Sequence, residues 1–267
     1  MGADLTRALV GAIELYFLVF VRVTGVFVVS PIFGRQNLPV YYKIGFSFFL
    51  TLIIATATPI AAPAASGYAP TSASGYALLA LKEFVIGACI GFIPFLRFSA
   101  RYIAGQLIDM KIGFSMVNVL DPVSNIQIPI TANFYYILCM LMFITVNAHH
   151  MVILSISRSY AIIPLGSLNV GGDAIRTLIR LFSDVFTVGF RLAAPIVFTT
   201  LLTDVALGII SKAMPQINVF MVGMPLKILV GIVIIIVTMP AMITILGGLF
   251  NNIGQETFNF MNVLGAQ

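Results

Sequence analysis

Six long apolar runs divide the chain, and each is close to or above the length of a helix that crosses a bilayer. Three runs precede and three follow a more polar central stretch, and their approximate bounds are residues 10–30, 44–60, 76–98, 130–156, 173–214 and 226–250. A spanning helix needs about 20 predominantly apolar residues. Only 9% of the residues are charged, whereas about a quarter are charged in a soluble domain. The sequence therefore predicts an all-α integral membrane protein with about six long hydrophobic helices, surrounded by membrane lipid.

The links between the first three runs predict how the chain is inserted. The link over residues 33–43 carries Arg35 and Lys43 and no acidic residue. The next link, over residues 61–75, is uncharged and rich in Ala, Ser and Pro. By the positive-inside rule, the first link is cytoplasmic and the second lies on the opposite side of the membrane.

Five charged residues inside the apolar runs are candidates for polar contacts between helices or between subunits: Glu14, Arg22, Asp184, Arg191 and Asp204. Glu14 and Arg22 lie within a quadrant of each other on a helix, and Asp184 and Arg191 share a helical face two turns apart. Charged side chains in membrane helices are costly and usually face partners or water. A direct role in transport is the alternative interpretation.

The sequence carries no signature of catalysis or metal binding. His149 and His150, close to Asn147, have no acidic or thiol side chain nearby in sequence. Because adjacent helical residues point about 100° apart, the two imidazoles are poorly placed to bind one ion. We interpret them as polar packing residues, with a proton relay as the alternative. No HExxH, Walker A or GxSxG motif occurs, so we predict no enzyme activity, no metal, no cofactor and, without a basic stripe, no nucleic-acid binding.

The central stretch, GFSMVNVLDPVSNIQIPIT over residues 113–131, has neither a helical nor a strand period. Its one charge is Asp121, directly before Pro122. Loops of this length are uncommon in compact chains and are usually functional or disordered. In a membrane protein, irregular backbone is tolerated only in water, within protein or along a cavity. The sequence therefore predicts a functional loop at or in a passage, with a re-entrant connector as the alternative.

Four ordered blocks of the chain resemble the FliR family of flagellar type III export-gate proteins, which is related to the SctT proteins of virulence injectisomes. The blocks are PIFGRQNLPVYYKIG (31–45), the loop (113–129), FITVNAHHMVILSISRSYAIIPLG (143–166) and LGIISKAMPQINVFMVGMPLKILVG (207–231). The likeness covers essentially the whole chain and is weakest in the Ala/Ser/Pro link and the C-terminal tail. No single motif is a catalytic fingerprint, but four blocks in this order and at family-like spacing are specific for the family.

This resemblance implies a role in protein export. Together with several FliP and FliQ subunits, and with FlhB attached at the base, the chain is expected to form a pore for unfolded flagellar proteins. The pore would belong to the flagellar basal body in the bacterial inner membrane. Residues 1–166 would form a FliP-like helical part, and residues 167–267 a FliQ-like helical hairpin and C-terminal tail. The charged residues inside apolar helices would then face neighbouring subunits or water.

The resemblance also implies that the loop over residues 113–130 lies in the pore and plugs it. Gly113 would allow a hinge, and Pro122 and Pro129 would stiffen the loop around Asp121. We expect the closing contacts to come from Met116, Val117, Val119 and Leu120. The residues assigned to the plug are Gly113, Phe114, Met116, Val117, Val119, Leu120, Asp121 and Pro122.

Two other functions compete with this one. A small-solute or ion transporter would suit broken helices and intramembrane charges, but it needs a compact polar site at mid-membrane. The charges here are dispersed along the sequence instead. The equivalent subunit of a virulence secretion system is the second alternative, and the overall resemblance favours the flagellar one.

Overall fold

The computed structural model describes residues 2–34, 39–60, 72–114, 129–168, 171–216 and 218–265. In these ranges the chain forms helices and connecting turns, with no strand. The helices are α1 (Gly2–Val29), α2 (Val40–Ala57), α3 (Ala73–Ile112), α4 (Ile130–Thr145), α5 (Ala148–Ile162), α6 (Gly172–Ala213), α7 (Val219–Asn251) and α8 (Ile253–Gly265).

The helices confirm the predicted fold class. Five of them are long and apolar enough to cross a membrane: α1, α2, α3, α6 and α7, the last continuing into α8. A sixth span results if α4 and α5 count together as one. The protein is thus a multi-pass, all-helical membrane protein in the part of the chain that the structure describes.

The structure differs from the predicted helices at the fourth run, and it decides between two predictions for the segment after the third run. The fourth run is not one helix, because α4 ends at Thr145 and α5 begins at Ala148. Asn147 between them has φ 55°, in the left-handed region that Asn tolerates better than most residues. The sequence of the amphipathic segment over residues 99–112 allows either a helix at the membrane interface or a continuation of the third helix. In the structure, the segment continues α3 to Ile112 as one helix of 40 residues that passes through Pro94.

Contacts divide the chain into two compact units. The first comprises Met1–Leu96, Asn147–Leu181 and Asn251–Gln267, and the second comprises Arg97–Val146 and Phe182–Phe250. Both units are discontinuous in sequence. The boundary expected after Gly166 divides a FliP-like part from a FliQ-like part. It rests on likeness to those two proteins and not on packing, and it stays a prediction.

In the first unit, glycines bring the backbones of α1 and α3 into contact. A Cβ atom on Gly25 would lie 2.5 Å from the Phe84 carbonyl oxygen, and one on Gly91 would lie 2.7 Å from that of Val26. A Cβ atom on Gly87 would overlap the carbonyl group of Arg22. Gly87 and Gly91 form the GxxxG spacing of the third run, which permits this close approach in membrane helices.

In the second unit, three phenylalanines from three helices form an aromatic cluster. The ring centroids of Phe98, Phe143 and Phe250 are 5.1 to 5.6 Å apart, and all three side chains are buried. Aromatic pairs at such distances contribute about 0.5–1.5 kcal/mol each beyond the burial of area. The cluster therefore holds together α3, α4 and α7.

Candidate functional site at the stem of the central loop

The two ends of the central loop are joined by the buried side chain of Asp109. Its two carboxylate oxygens accept a hydrogen bond from the backbone N–H of Thr131, at 3.0 and 3.2 Å. Asp109 lies in the last turn of α3, and Thr131 lies in the first turn of α4, whose N-cap residue Pro129 supplies no side-chain cap. The first N–H groups of a helix lack partners within the helix, and a carboxylate there is favourable. Asp109 therefore caps α4 from a different helix.

One face of α3 contacts the start of α4 over three successive turns. Besides Asp109, this face carries Arg101 and Gly105, spaced four residues apart. A Cβ atom on Gly105 would overlap Ala132. Arg101 donates a hydrogen bond to the Ala132 carbonyl oxygen at 3.3 Å, and its guanidinium lies 4.2 Å from the centroid of the Tyr136 ring. We call these contacts of Arg101, Gly105 and Asp109 with α4 the stem.

Gly113, the first residue of the predicted plug, ends α3. Its φ is +103°, and its N–H donates to the Asp109 carbonyl oxygen at 3.1 Å. This is the glycine C-cap by which many helices end. A hinge at Gly113 stays a prediction. Phe114 follows within the described residues, and the other assigned plug residues lie outside them: Met116, Val117, Val119, Leu120, Asp121 and Pro122.

A cleft of about 410 Å³ adjoins the start of the loop within the second unit. Its wall includes Lys111 and Gly113 from the end of α3, together with residues of α6 and α7. Asp204 on α6 forms an ion pair with Lys227 on α7 in this wall. The inter-helix partner of Asp204 is thus a residue of the neighbouring helix in the same chain.

The remaining charged candidates lie in different surroundings. Arg22 is completely buried and pairs with Glu83 on α3, whereas Glu14 is half-buried on α1. Asp184 is half-buried and Arg191 is exposed on α6. No ion pair joins Asp184 to Arg191 among the described residues.

The rings of the two histidines contact each other at a tilt of 41°. The ring centroids of His149 and His150 are 4.1 Å apart. Within the described ranges, no group of three His, Cys, Asp or Glu side chains is arranged to hold a metal ion.

Sequence reasoning missed Asp109 and Glu83, the two acids with buried backbone partners. In the sequence, Asp109 is one of the polar residues of the amphipathic segment over residues 99–112, and Glu83 is the neighbour of Lys82 in the third run. The one available signal at Asp109 was an acid four residues before a helix-ending glycine. For Glu83, the partner lies 61 residues away in sequence, and no local pattern indicates it.

The sequence is similar to those of known bacterial export proteins. The family model described as "Bacterial export proteins, family 1" matches residues 13–253. The chain is 35% identical over 257 residues to the "Flagellar biosynthetic protein FliR" of Bacillus subtilis (strain 168), covering 94% of this chain and 96% of the relative. It is 29% identical over 249 residues to that of Escherichia coli (strain K12), covering 93% and 92%. The Caulobacter vibrioides relative is 27% identical over 220 residues, covering 80% and 84%.

Proposed function

The chain belongs to the FliR family of bacterial export proteins, and from this premise we propose that it forms an export pore together with FliP and FliQ subunits. Membership confirms the predicted family. It also makes the chain a non-enzymatic, multi-pass component of the flagellar export apparatus in the inner membrane. The proposed pore carries unfolded flagellar proteins across that membrane, and FlhB attaches at its base.

An exposed apolar stripe on α6 carries the proposal that other subunits pack against this chain. The side chains of five residues spaced three or four apart are each at least half exposed: Ile175, Ile179, Phe182, Phe186 and Phe190. Such spacing places them on one helical face. The side of the helix next to the stripe carries Arg176 and Arg180, both exposed. A helix surrounded by lipid would not carry these charges, so a protein surface is the better cover for the stripe.

The arrangement of α6 and α7 supports the FliQ-like assignment of residues 167–267. These two long helices are consecutive in the chain and are linked by the ion pair of Asp204 with Lys227. Two consecutive long helices joined by an ion pair are compatible with the hairpin that this assignment proposes. The preceding residues 1–166 form the proposed FliP-like part.

The stem supports the proposal that the loop over residues 113–130 plugs the pore. A plug must seal against ions and yet move aside for an exported chain. The stem binds the first turn of α4, where the loop ends, to the last turns of α3, where the loop begins. The proposed closing contacts are Met116, Val117, Val119 and Leu120.

Native mass spectrometry of the detergent-extracted complex tests the subunit assignment. After co-expression with the neighbouring genes, we expect one copy of this chain with several copies of two smaller membrane proteins. A stable monomer or homodimer without partners would contradict the assignment and favour a solute transporter.

The same measurement on two variants tests the role of the stripe. Phe186→Asp places a charge in the stripe, and we expect the chain to stay in the membrane but not to enter the complex. Thr187→Asp places the same charge at the neighbouring exposed position, which points about 100° away, and should leave the complex intact. Equal assembly of both variants would contradict a protein partner at the stripe.

A further inference from the structure

Arg22 uses all three nitrogens of its guanidinium group inside the first unit. Its Nε donates to Glu83 Oε2 at 2.6 Å, and its Nη1 donates to Ser159 Oγ at 3.0 Å. Both Nη1 and Nη2 donate to the Ile163 carbonyl oxygen at 3.1 Å. The guanidinium also lies 4.2 Å from the centroid of the Tyr160 ring. Four of the five N–H groups of this cation therefore bind groups of the same chain, and its side chain has no exposed surface.

Glu83 is occupied on both carboxylate oxygens. While Oε2 accepts from Arg22, Oε1 accepts from the backbone N–H of Gly166 at 2.9 Å. Lys82 adds a long contact of 3.5 Å from Nζ to the Gly166 carbonyl oxygen. Arg22 and Glu83 both have side chains with no exposed surface, so water cannot replace these bonds.

Both backbone partners belong to the turn that follows α5. This helix ends at Ile162, and Ile163 and Gly166 lie at the two ends of the turn. Gly166 has φ +84°, a conformation that favours glycine. The last carbonyl groups of a helix have no partner within it, and a cation there is favourable. Arg22 and Glu83 thus bind a carbonyl and an N–H group that would otherwise be buried without partners.

We propose that Arg22 and Glu83 are positioning residues that fix the turn over residues 163–166, and with it the direction in which the chain leaves α5. The turn lies where the proposed FliP-like part gives way to the hairpin. The proposal does not depend on the pore assignment, because every contact that carries it lies within one chain. It assigns to Arg22 an internal role in place of a contact between subunits.

The direction of the hydrogen bonds to the backbone distinguishes this role from that of a simple ion pair: the side chain at position 22 donates, and the side chain at position 83 accepts. A simple pair would tolerate exchange of its two members. Here an acid at position 22 could not donate to the Ile163 carbonyl oxygen, and an arginine at position 83 could not accept from the Gly166 N–H. Exchange therefore restores charge balance but leaves two buried backbone groups unsatisfied.

Hydrogen exchange of the amides over residues 159–168, measured on the full chain in detergent, tests the proposal. Arg22→Lys keeps the charge but cannot make the forked contact with Ile163, and we expect exchange in this segment to become about tenfold faster or more. The double variant Arg22→Glu/Glu83→Arg should be no better protected than Arg22→Lys. Arg176→Gln is the control, because it removes an ion pair whose two side chains are 85% exposed.

Two results would overturn the proposal. If the exchanged pair restores the protection of the unmodified chain, charge balance alone matters and the turn is not positioned by these side chains. If Arg22→Lys leaves exchange unchanged but the chain no longer assembles with its partners, Arg22 acts between subunits. Native mass spectrometry of each variant separates this second outcome from the first.

Discussion

Asp109 and Glu83 are both buried acids that bind a backbone N–H group at a helix boundary, but they differ in what surrounds them. Glu83 also pairs with Arg22, and that cation in turn binds further groups of the same chain. Asp109 binds one N–H group, that of Thr131, and takes part in no ion pair within the described residues. Glu83 and Arg22 are thus held by several hydrogen bonds to each other and to the backbone, whereas Asp109 depends on a single backbone partner.

This difference suits the places of the two sites in the chain. The Arg22–Glu83 pair fixes a short turn between two helices, which needs no movement. The stem lies directly before a loop that is proposed to move, so it must hold the base of that loop without extending into it. The comparison predicts a graded series of effects when each contact is removed.

The largest effect is expected from Glu83→Ala. It leaves Arg22 as a buried charge without its partner and the Gly166 N–H without its acceptor. Removing one member of a buried pair costs about 3–5 kcal/mol. Thermal unfolding of the chain in detergent would measure this loss, with Asp173→Asn in the exposed pair with Arg176 as the control. Equal melting temperatures for the two variants would contradict the account.

A smaller loss of folding stability is expected from Asp109→Ala. The hydrogen bond lost is to a charged acceptor, which contributes about 1.5–3 kcal/mol. Asp109→Asn should lose less, because the amide oxygen can still accept from the Thr131 N–H. Hydrogen exchange at the start of α4 would report the change directly. If Asp109→Ala leaves exchange there as slow as before, the carboxylate does not cap α4.

Gly105→Ala tests the close approach in the stem. The added methyl group would overlap Ala132, and overpacking of this kind costs about 1–3 kcal/mol. Gly248→Ala on α7 is the matched control, since a Cβ atom there would meet nothing within 4 Å. Chemical denaturation of both variants should separate them, with the control equal to or more stable than the unmodified chain. No difference between them would mean that α3 and α4 can separate at little cost.

The smallest loss of folding stability is expected from Gly113→Ala. A Cβ atom there has open space, so the penalty comes only from the positive φ and is about 1 kcal/mol. Thermal unfolding should show a small decrease in stability and no change in the amount of assembled complex. A loss comparable with that of Gly105→Ala would show that the site is crowded after all.

The sequence predicted the helical membrane fold because long apolar runs are a direct consequence of the bilayer. The contact at Gly87 and Gly91 was also predictable, since the GxxxG spacing is local. The break at Asn147 was not, because neither proline nor glycine marks it. The pairs Arg22–Glu83 and Asp109–Thr131 join residues 61 and 22 positions apart, and a single sequence carries no signal for such long-range partners.

The most direct test of the account is the ion conductance of the assembled complex after deletion of residues 117–125. These residues follow the stem and include three of the four proposed closing contacts, Val117, Val119 and Leu120. A deletion of equal length in the Ala/Ser/Pro link, over residues 62–70, serves as the control. If the loop plugs the pore, the first deletion raises ion leakage and the second does not. Unchanged conductance in a correctly assembled complex would contradict the plug.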